Sequence, residues 1–214
     1  TTLAHQGMTI TSGLASGIDT AAHQAALDAD ALTIAVNGTG LNQVYPSSSR
    51  AVAERIRTQG AMISELPLSA PPRRQHFPSR NRIISGLSLA VLVIEAGLNS
   101  GTLITARKAA EQGRDVFALP GSLHNPMAKG CHRLIREGAR LVETTADIMQ
   151  ELGPVAAELQ MEIRQRLAQP DSKEEPPQEG KSDLLDDTDY NNVWGVLGYD
   201  PKPVDVIIEQ TGLS

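Results

Sequence analysis

Short apolar runs alternate with helix-period stretches along the first 150 residues. The runs fall at 8–12 (MTITS), 32–36 (LTIAV), 61–66 (AMISEL), 89–96 (LAVLVIEA), 115–120 (DVFALP) and 139–143 (ARLVE). Between them, apolar positions recur at helical spacing near 17–29, 47–58, 79–87, 100–113, 130–137 and 145–152. Continuous apolar strands separated by helices predict βα units on a parallel sheet covered on both faces. The fold class expected is α/β, a doubly wound, mostly parallel, extended Rossmann-like sheet. LAVLVIEA is the most apolar run and is the candidate central strand. No internal repeat interrupts the series.

The pattern changes after Gly153-Pro154. Residues 155–168 can extend a helix, but the stretch from Ala168 to Asp189 is dense in Pro, Asp, Glu and Ser and reads as a flexible acidic linker. Apolar periodicity returns in YNNVWGVLGYDPKPVDVIIEQTGLS. The expected division is a Rossmann-like domain over 1–153, a helical extension and linker over 154–190, and the start of a small winged-helix-like domain over 191–214. At the front, TTLAHQG resembles a helix end without its preceding strand, so the first strand of the sheet is expected to lie before Thr1.

Composition refines this picture. Aromatic residues make up 3% of the chain, so the core must be aliphatic. A single cysteine, Cys131, excludes an internal disulfide and a multi-cysteine zinc site, and fits a reducing cytoplasm. No apolar run approaches the roughly 18 residues of a membrane span, and the start lacks the basic and apolar regions of a secretory leader. The net charge of −6 is unevenly spread. Residues 1–153 hold 14 Lys and Arg against 12 Asp and Glu, whereas residues 154–214 hold 5 against 13. The acidity belongs to the tail, which leaves room for a basic site in the first part.

Candidate chemistry gathers where the strands should end. Glycines and hydroxyls follow four of the runs, in TSGLASGID, NGTGLNQVYP, EAGLNSGTLITA and PGSLHNP. Ligands of open α/β sheets bind outside the carboxyl ends of the strands, where glycine admits close approach and a helix start offers unpaired N–H groups to an anion. Ser100, Gly101 and Thr102 open a long helix in this way. None of the clusters matches a dinucleotide or P-loop fingerprint, and strand-to-helix turns need such residues in any case. Charge comes from RRQHFPSRNR, in an interval with nothing acidic between Glu65 and Glu95. Pro78 is expected to turn Phe77 out of the helix and Ser79 to cap it, placing Arg80, Asn81 and Arg82 in the first turn. Cations there oppose the helix dipole, and phosphate would offset that. Phe77 can stack on a base. The bland alternative is a solvated basic turn, with an arginine paired to Glu65 or Glu95.

Other pairs carry weaker signals. Asp19 and His23 share a helix face and can form a hydrogen-bonded pair, chiefly as a helix-start acid pinning a histidine. Glu95 ends an apolar strand beside glycines, where it can serve as a base, bond a ribose or pair with Arg80 or Arg82. Cys131 and His132 have no partners at metal spacing, and no metal or cofactor is expected.

Five extended motifs then point one way. SGLASGIDTAAH, GTGLNQVYP, FPSRNRIISGLS, EAGLNSGTLITARKAAEQGRDVFALPGS and GCHRLIREGA resemble, in order, the DNA-processing protein A family (DprA, also called Smf). The resemblance implies a Rossmann-like, non-enzymatic, cytoplasmic protein of competence and DNA recombination. Such a protein binds single-stranded DNA, protects incoming strands during natural transformation, helps load the RecA recombinase, and works as a homodimer. By motif it implies a DNA pocket of Ser12, Gly13, Arg74, Arg80, Asn81, Arg82, Ser100, Gly101, Thr102 and Lys108, and a dimer surface including His132, Ile135 and Leu141. The family's first strand, with its glycine–arginine loop, would precede Thr1, and the stretch after Tyr45-Pro46 offers Arg50 where relatives often have lysine. The alternative class is a phosphoribohydrolase-like nucleotide-processing enzyme, but its PGGxGTxxE pattern is absent. A third reading is an adaptor that acts only through its dimer and recombinase surfaces.

Overall fold

Every strand pairing in this computed structural model is parallel among the described residues, which are 1–168, 196 and 204–212. Strands β1 (Ile10–Ser12), β2 (Thr33–Val36) and β3 (Ala61–Ile63) form one sheet in that order. Strands β4 (Ala90–Val93), β5 (Asp115–Ala118) and β6 (Arg140–Leu141) form a second. The parallel α/β architecture matches the expectation, but as two three-stranded sheets and not one. LAVLVIEA is correspondingly not central, because β4 borders its sheet. An apolar run reports burial on its faces and says nothing about how many strands hydrogen-bond to it.

The core of the second sheet also takes in the start of the chain. Phe117, fully buried on β5, packs with Val142, Ile148 and Leu152, and this cluster takes in Leu3 and Met8 from the start of the chain as well as Leu89, Ala90 and Leu92 around β4. Burying a side chain the size of Phe117 contributes about 2–3 kcal/mol. Aliphatic clusters fill the rest: Leu14, Leu27, Val52, Ala53 and Ile56 under the first sheet, and Val93, Ala106, Cys131 and Leu134 under the second.

Helices follow strands as the spacing requires. Helix α1 (Thr2–His5) precedes β1. Helix α2 (Ile18–Leu27) lies between β1 and β2, and α3 (Arg50–Gln59) between β2 and β3, the latter after a 3-10 turn at Ser47–Ser49. Then come α4 (His76–Gly86), α5 (Thr102–Glu111), α6 (Lys129–Arg136) and α7 (Thr145–Ala168). On α3, Val52, Ala53 and Ile56 are the buried stripe, spaced to face one side. Helix α7 starts on a capping box, in which Asp147 accepts from the Glu143 and Thr144 N–H groups (2.9 and 2.8 Å) and the Asp147 N–H donates to Thr144 Oγ1. Those N–H groups hold the Asp147 carboxyl below the usual range.

Helix α4 corrects the expected boundary. It begins at His76, so Phe77 and Pro78 are helical and Ser79 is not the cap; its hydroxyl donates back to Gln75 O at 2.8 Å. The first N–H groups of a helix have no intrahelical acceptor, so proline in the first turn forfeits no bond. Arg80, Asn81 and Arg82 consequently sit in the second turn, where the opposing dipole is weaker than supposed.

Contacts divide the chain into the units Thr1–Gln160 and Met161–Ser214. In the second unit the described structure is the end of α7 and a helix over Val204–Thr211. The expected linker and the other parts of the expected winged-helix segment lie outside the described residues. Among the described residues, no helix is long and apolar enough to cross a membrane.

His23 supplies a test of the packing. It is fully buried on α2, and its Nδ1 lies 2.7 Å from Thr33 Oγ1, which itself donates to Ile10 O at 2.7 Å. The hydroxyl proton being engaged, His23 Nδ1–H must donate, and Nε2 is left bare without a partner. The expected Asp19 pair is replaced by this threonine. Burial, reinforced by Arg80 and opposed by Asp19, lowers the His23 pKa from 6.5 to about 4. The unfolded chain therefore takes up this proton first, and stability present above pH 6.5 is lost as pH falls towards 4. The loss amounts to at most about 3 kcal/mol. Urea titrations of wild type and His23→Gln across that interval should show the steeper acid loss in wild type; parallel curves would contradict this account of the histidine.

Candidate functional site

The carboxyl ends of β1 and β2 are tied together by one buried cation. Arg80, 7% exposed, reaches from α4 to donate through Nη1 to Gly13 O (2.8 Å) and to Val36 O, while its Nε donates to Asn81 Oδ1 (3.0 Å). The Gly13 N–H donates on its other side to Asp19 Oδ2 (3.1 Å), as does that of Ala15 (3.3 Å). One peptide segment is thus held between a carboxylate and a guanidinium. A Cβ at Gly13 would overlap the Arg80 guanidinium, so glycine is needed there by the protein's own arginine. Burial pushes the Arg80 pKa down and Asp19 pushes it back up.

This clamp revises the role expected of Arg80. It lies on the same edge as Gly13, as a groove at the strand ends requires, with Nη1 committed to two backbone carbonyls and Nε to Asn81, while Nη2 has no hydrogen-bond partner among the described residues. It shapes the site through Nη1 and Nε. Gly40 likewise serves the fold, because a Cβ there would run into the carbonyl oxygens of Pro67 and Leu68.

The remaining expected residues are spread along this edge. Ser12 ends β1 beside the clamp. Arg82, one residue past Asn81, pairs with Glu65 just after β3, the bland alternative for that side chain. Arg73 and Arg74 precede α4, both exposed, and among the described residues neither side chain has a hydrogen-bond or ion-pair partner. Helices α4 and α5 run the same way: Gln112 Nε2 donates to Arg82 O (3.0 Å) and Arg114 Nη2 to Gly86 O (3.3 Å), which brings their final turns together. Both therefore begin towards the strand ends. At the start of α5, the Thr102 N–H donates to Ser100 Oγ (3.2 Å), whose hydroxyl donates to Thr102 Oγ1 (3.0 Å), while the space above Gly101 is open. Lys108 is not with this group; it sits in the last turn of α5, paired to Glu111 at 2.7 Å. Glu95 is exposed and pairs with neither arginine.

Two residues absent from the sequence-based set stand in the same region. Tyr45, 51% exposed, lies against Phe77 with ring centroids 5.4 Å apart and planes at 41°. Phe77 rests over Gly38, where a Cβ would stand 2.7 Å from its Cδ1. Asn37, 5% exposed, has no partner for either side-chain polar atom. The signal was the tyrosine in NGTGLNQVYP: in a chain with so few aromatic residues, one in a glycine-rich loop is informative.

On the second sheet, α6 docks through Gly130, whose N–H donates to Ala96 O at 2.7 Å, and buries Cys131 and Leu134. Burial raises the Cys131 thiol pKa. The outer side of α6 presents His132 and Ile135, which with Leu98, Pro120, Leu123 and Leu141 line an open cavity of about 470 Å³. His132 Nε2 lies 2.9 Å from Gly121 O. The three residues of the expected dimer surface are therefore brought together. Among the described residues, no group of three or more His, Cys, Asp or Glu is placed to hold a metal.

Comparison with known proteins gives this arrangement a context. The profile of the family described as DNA recombination-mediator protein A matches residues 1–153. Protein Smf of Escherichia coli (strain K12) is 55% identical over 152 residues, 71% of this chain and 41% of that protein. Among solved structures, DNA processing protein A of Streptococcus pneumoniae superposes with a TM-score of 0.65 at 47% identity, covering 69% of this chain and 54% of the other. DNA processing protein A of Helicobacter pylori, described for its unique single-stranded DNA binding mode, gives 0.65 at 30% identity, covering 71% and 68%. The chain spans about half the length of the curated relatives it matches.

The clamp makes a direct prediction. Arg80→Met leaves two buried carbonyls without a donor and should cost about 2 kcal/mol or more in urea unfolding. Gly13→Ala should cost a similar amount by displacing the guanidinium. The double variant should cost clearly less than the two added, because both remove one interaction; simple additivity would separate Gly13 from Arg80.

Proposed function

Since the chain belongs to the DNA recombination-mediator protein A family, we propose that it is a binding module for single-stranded DNA. In this reading it acts without catalytic residues in a cytoplasmic recombination pathway. It protects incoming strands during natural transformation and helps deliver them to the RecA recombinase. The observation that carries the reading is the unpartnered pair Arg73 and Arg74, standing just before the helix that Arg80 anchors over the ends of β1 and β2. Free guanidinium groups match phosphate oxygens in charge and geometry. The open space above Gly101 at the start of α5 leaves room for a second anion on the same side, to which Ser100 Oγ would yield the Thr102 N–H. Arg82, exposed and paired only across the surface to Glu65, can exchange that carboxylate for phosphate at little cost. Ser12, Gly13, Arg80 and Asn81 hold the groove's floor, and Lys108, paired to Glu111 in the last turn of α5, stands apart from it.

Contacts of this kind respond to salt and hardly to sequence. Arg73→Ala with Arg74→Ala should weaken binding of oligothymidine and of mixed-sequence strands alike, by about tenfold or more in 0.1 M salt. It should also flatten the slope of log K against log salt by about 1.4, the share of two phosphates on a single strand. Anisotropy titrations at several salt concentrations measure both, and an unaltered slope would remove these arginines from the interface.

The apolar cavity beside α6 is the proposed homodimer contact, with His132, Ile135 and Leu141 meeting their counterparts on a second copy. Exposed Leu98, Leu123 and Leu141 around one cavity form a patch of the kind that interfaces cover. Leu123→Asp with Leu141→Asp, both at exposed positions, should convert dimer to monomer in sedimentation while leaving the melting temperature of the monomer fold nearly unchanged. A wild type that sediments as monomer at micromolar concentration would refute the contact.

A further inference from the structure

Two loops of the first sheet are fastened to each other, one following β2 and the other following β3. The Gly40 N–H donates to Ala70 O and the Asn42 N–H to Leu68 O, both at 3.0 Å. Thr39, 2% exposed, closes the first loop by donating to Gln43 O (2.9 Å), and its own carbonyl accepts from Ser64 Oγ (2.8 Å). Glycine at position 40 makes the approach possible, because a Cβ there would stand 2.2 Å from the carbonyl oxygens of both Pro67 and Leu68. The second loop is thereby held as far as Ala70, although residues 67–69 are exposed. What this clasp fixes is the segment that follows.

From Ala70 the chain reaches Arg73 through Pro71 and Pro72, with neither helix nor turn over 70–73. Proline locks its own φ and turns the residue before it away from the helical region, so consecutive prolines make a stiff, extended link. At the far side, Arg73 O accepts from the His76 N–H (2.9 Å), where α4 begins, and Arg80 anchors that helix. Arg73 and Arg74 are therefore carried between two fixed points by a link with little freedom. Their side chains are unpartnered, yet the backbone beneath them is not loose. Pro71 and Pro72 are both exposed and add nothing to a core, so their stiffness acts on the arginines beside them.

We propose that the Gly40 clasp and Pro71-Pro72 form a bracket that sets Arg73 and Arg74 in place before a polyanion arrives, with Gly40, Pro71 and Pro72 as positioning residues. This rests on the single-strand reading above and adds to it that part of the affinity comes from restricting the unbound protein. Ordering a loop during binding costs conformational entropy, and order already present removes that cost. The bracket does not change how many phosphates are neutralised, so it leaves the salt dependence alone.

The experiment titrates labelled oligothymidine with the full chain and its variants at several salt concentrations. Pro71→Ala with Pro72→Ala should weaken binding about 3- to 10-fold, with the slope of log K against log salt as in wild type. Both positions are exposed, so the variant is expected to fold, and its far-UV circular dichroism checks that. Gly40→Ala opens the clasp from the other end and should bring a loss of the same kind, again with the slope kept. In a chain that already carries Arg73→Ala and Arg74→Ala, the two proline substitutions should have no further effect. Wild-type affinity in the proline variant overturns the bracket. So does a flatter slope, or an equal loss in the arginine-free background, and in each case the phosphate contacts of Arg73 and Arg74 stand if their own removal still flattens the slope. Arginine substitutions without effect, or a wild type that does not bind, overturn the contacts and the bracket together.

Discussion

The site depends on a guanidinium placed where water cannot compensate it. Removing an arginine from solvent costs several kcal/mol, and charge-assisted bonds to two strand-terminal carbonyls offset that cost. Arg80 satisfies the carbonyls of Gly13 and Val36, where β1 and β2 end, with one side chain. Helix α4 is thereby pinned across both strand ends. Asp19, on the far side of the Gly13 peptide, supplies the opposite charge through an intervening amide rather than by direct contact. The mutual effects run as expected: Asp19 favours the charged arginine, and the arginine disfavours a charged His23.

Holding α4 in this way divides the basic residues between two tasks. Arg80 is buried and committed, Arg82 is exposed and loosely paired, and Arg73 and Arg74 are exposed and unpaired. Arg73 and Arg74 thus have no structural bond to abandon in order to receive an anion. The rigid arginine in turn fixes Phe77, and through Phe77 the attitude of Tyr45, so charged and aromatic surfaces are presented by one helix and the loop it rests on.

A comparable economy governs the second sheet. The close fit of Gly130 on Ala96 brings α6 flush with the end of β4, and Cys131 and Leu134 are buried by that approach. The same docking turns His132 towards the cavity beside Leu141 of β6, while Ile135 is half-buried between that cavity and the core. Cavity and core are two sides of one amphipathic helix, and Ile135 touches both.

How much of this was legible beforehand differs between levels. Apolar runs separated by helical periods determined the parallel α/β class, because β-branched and aliphatic runs buried on both faces have few other uses. The cluster of glycines and arginines also pointed to the edge at which Arg80 joins the ends of β1 and β2. What composition left open was which glycine serves a ligand and which serves a neighbour. Gly13 and Gly40 make room for Arg80 and for the backbone at Pro67 and Leu68, whereas the space above Gly101 is open. Nor does local sequence separate a structural arginine from a binding one. Arg80 and Arg82 stand two residues apart, and the difference between them is the direction each side chain takes from α4, inward to carbonyls 44 and 67 residues away or outward to Glu65. Those partners are brought near only by the packing of strands distant in the chain, and pairings of that range are decided by tertiary structure.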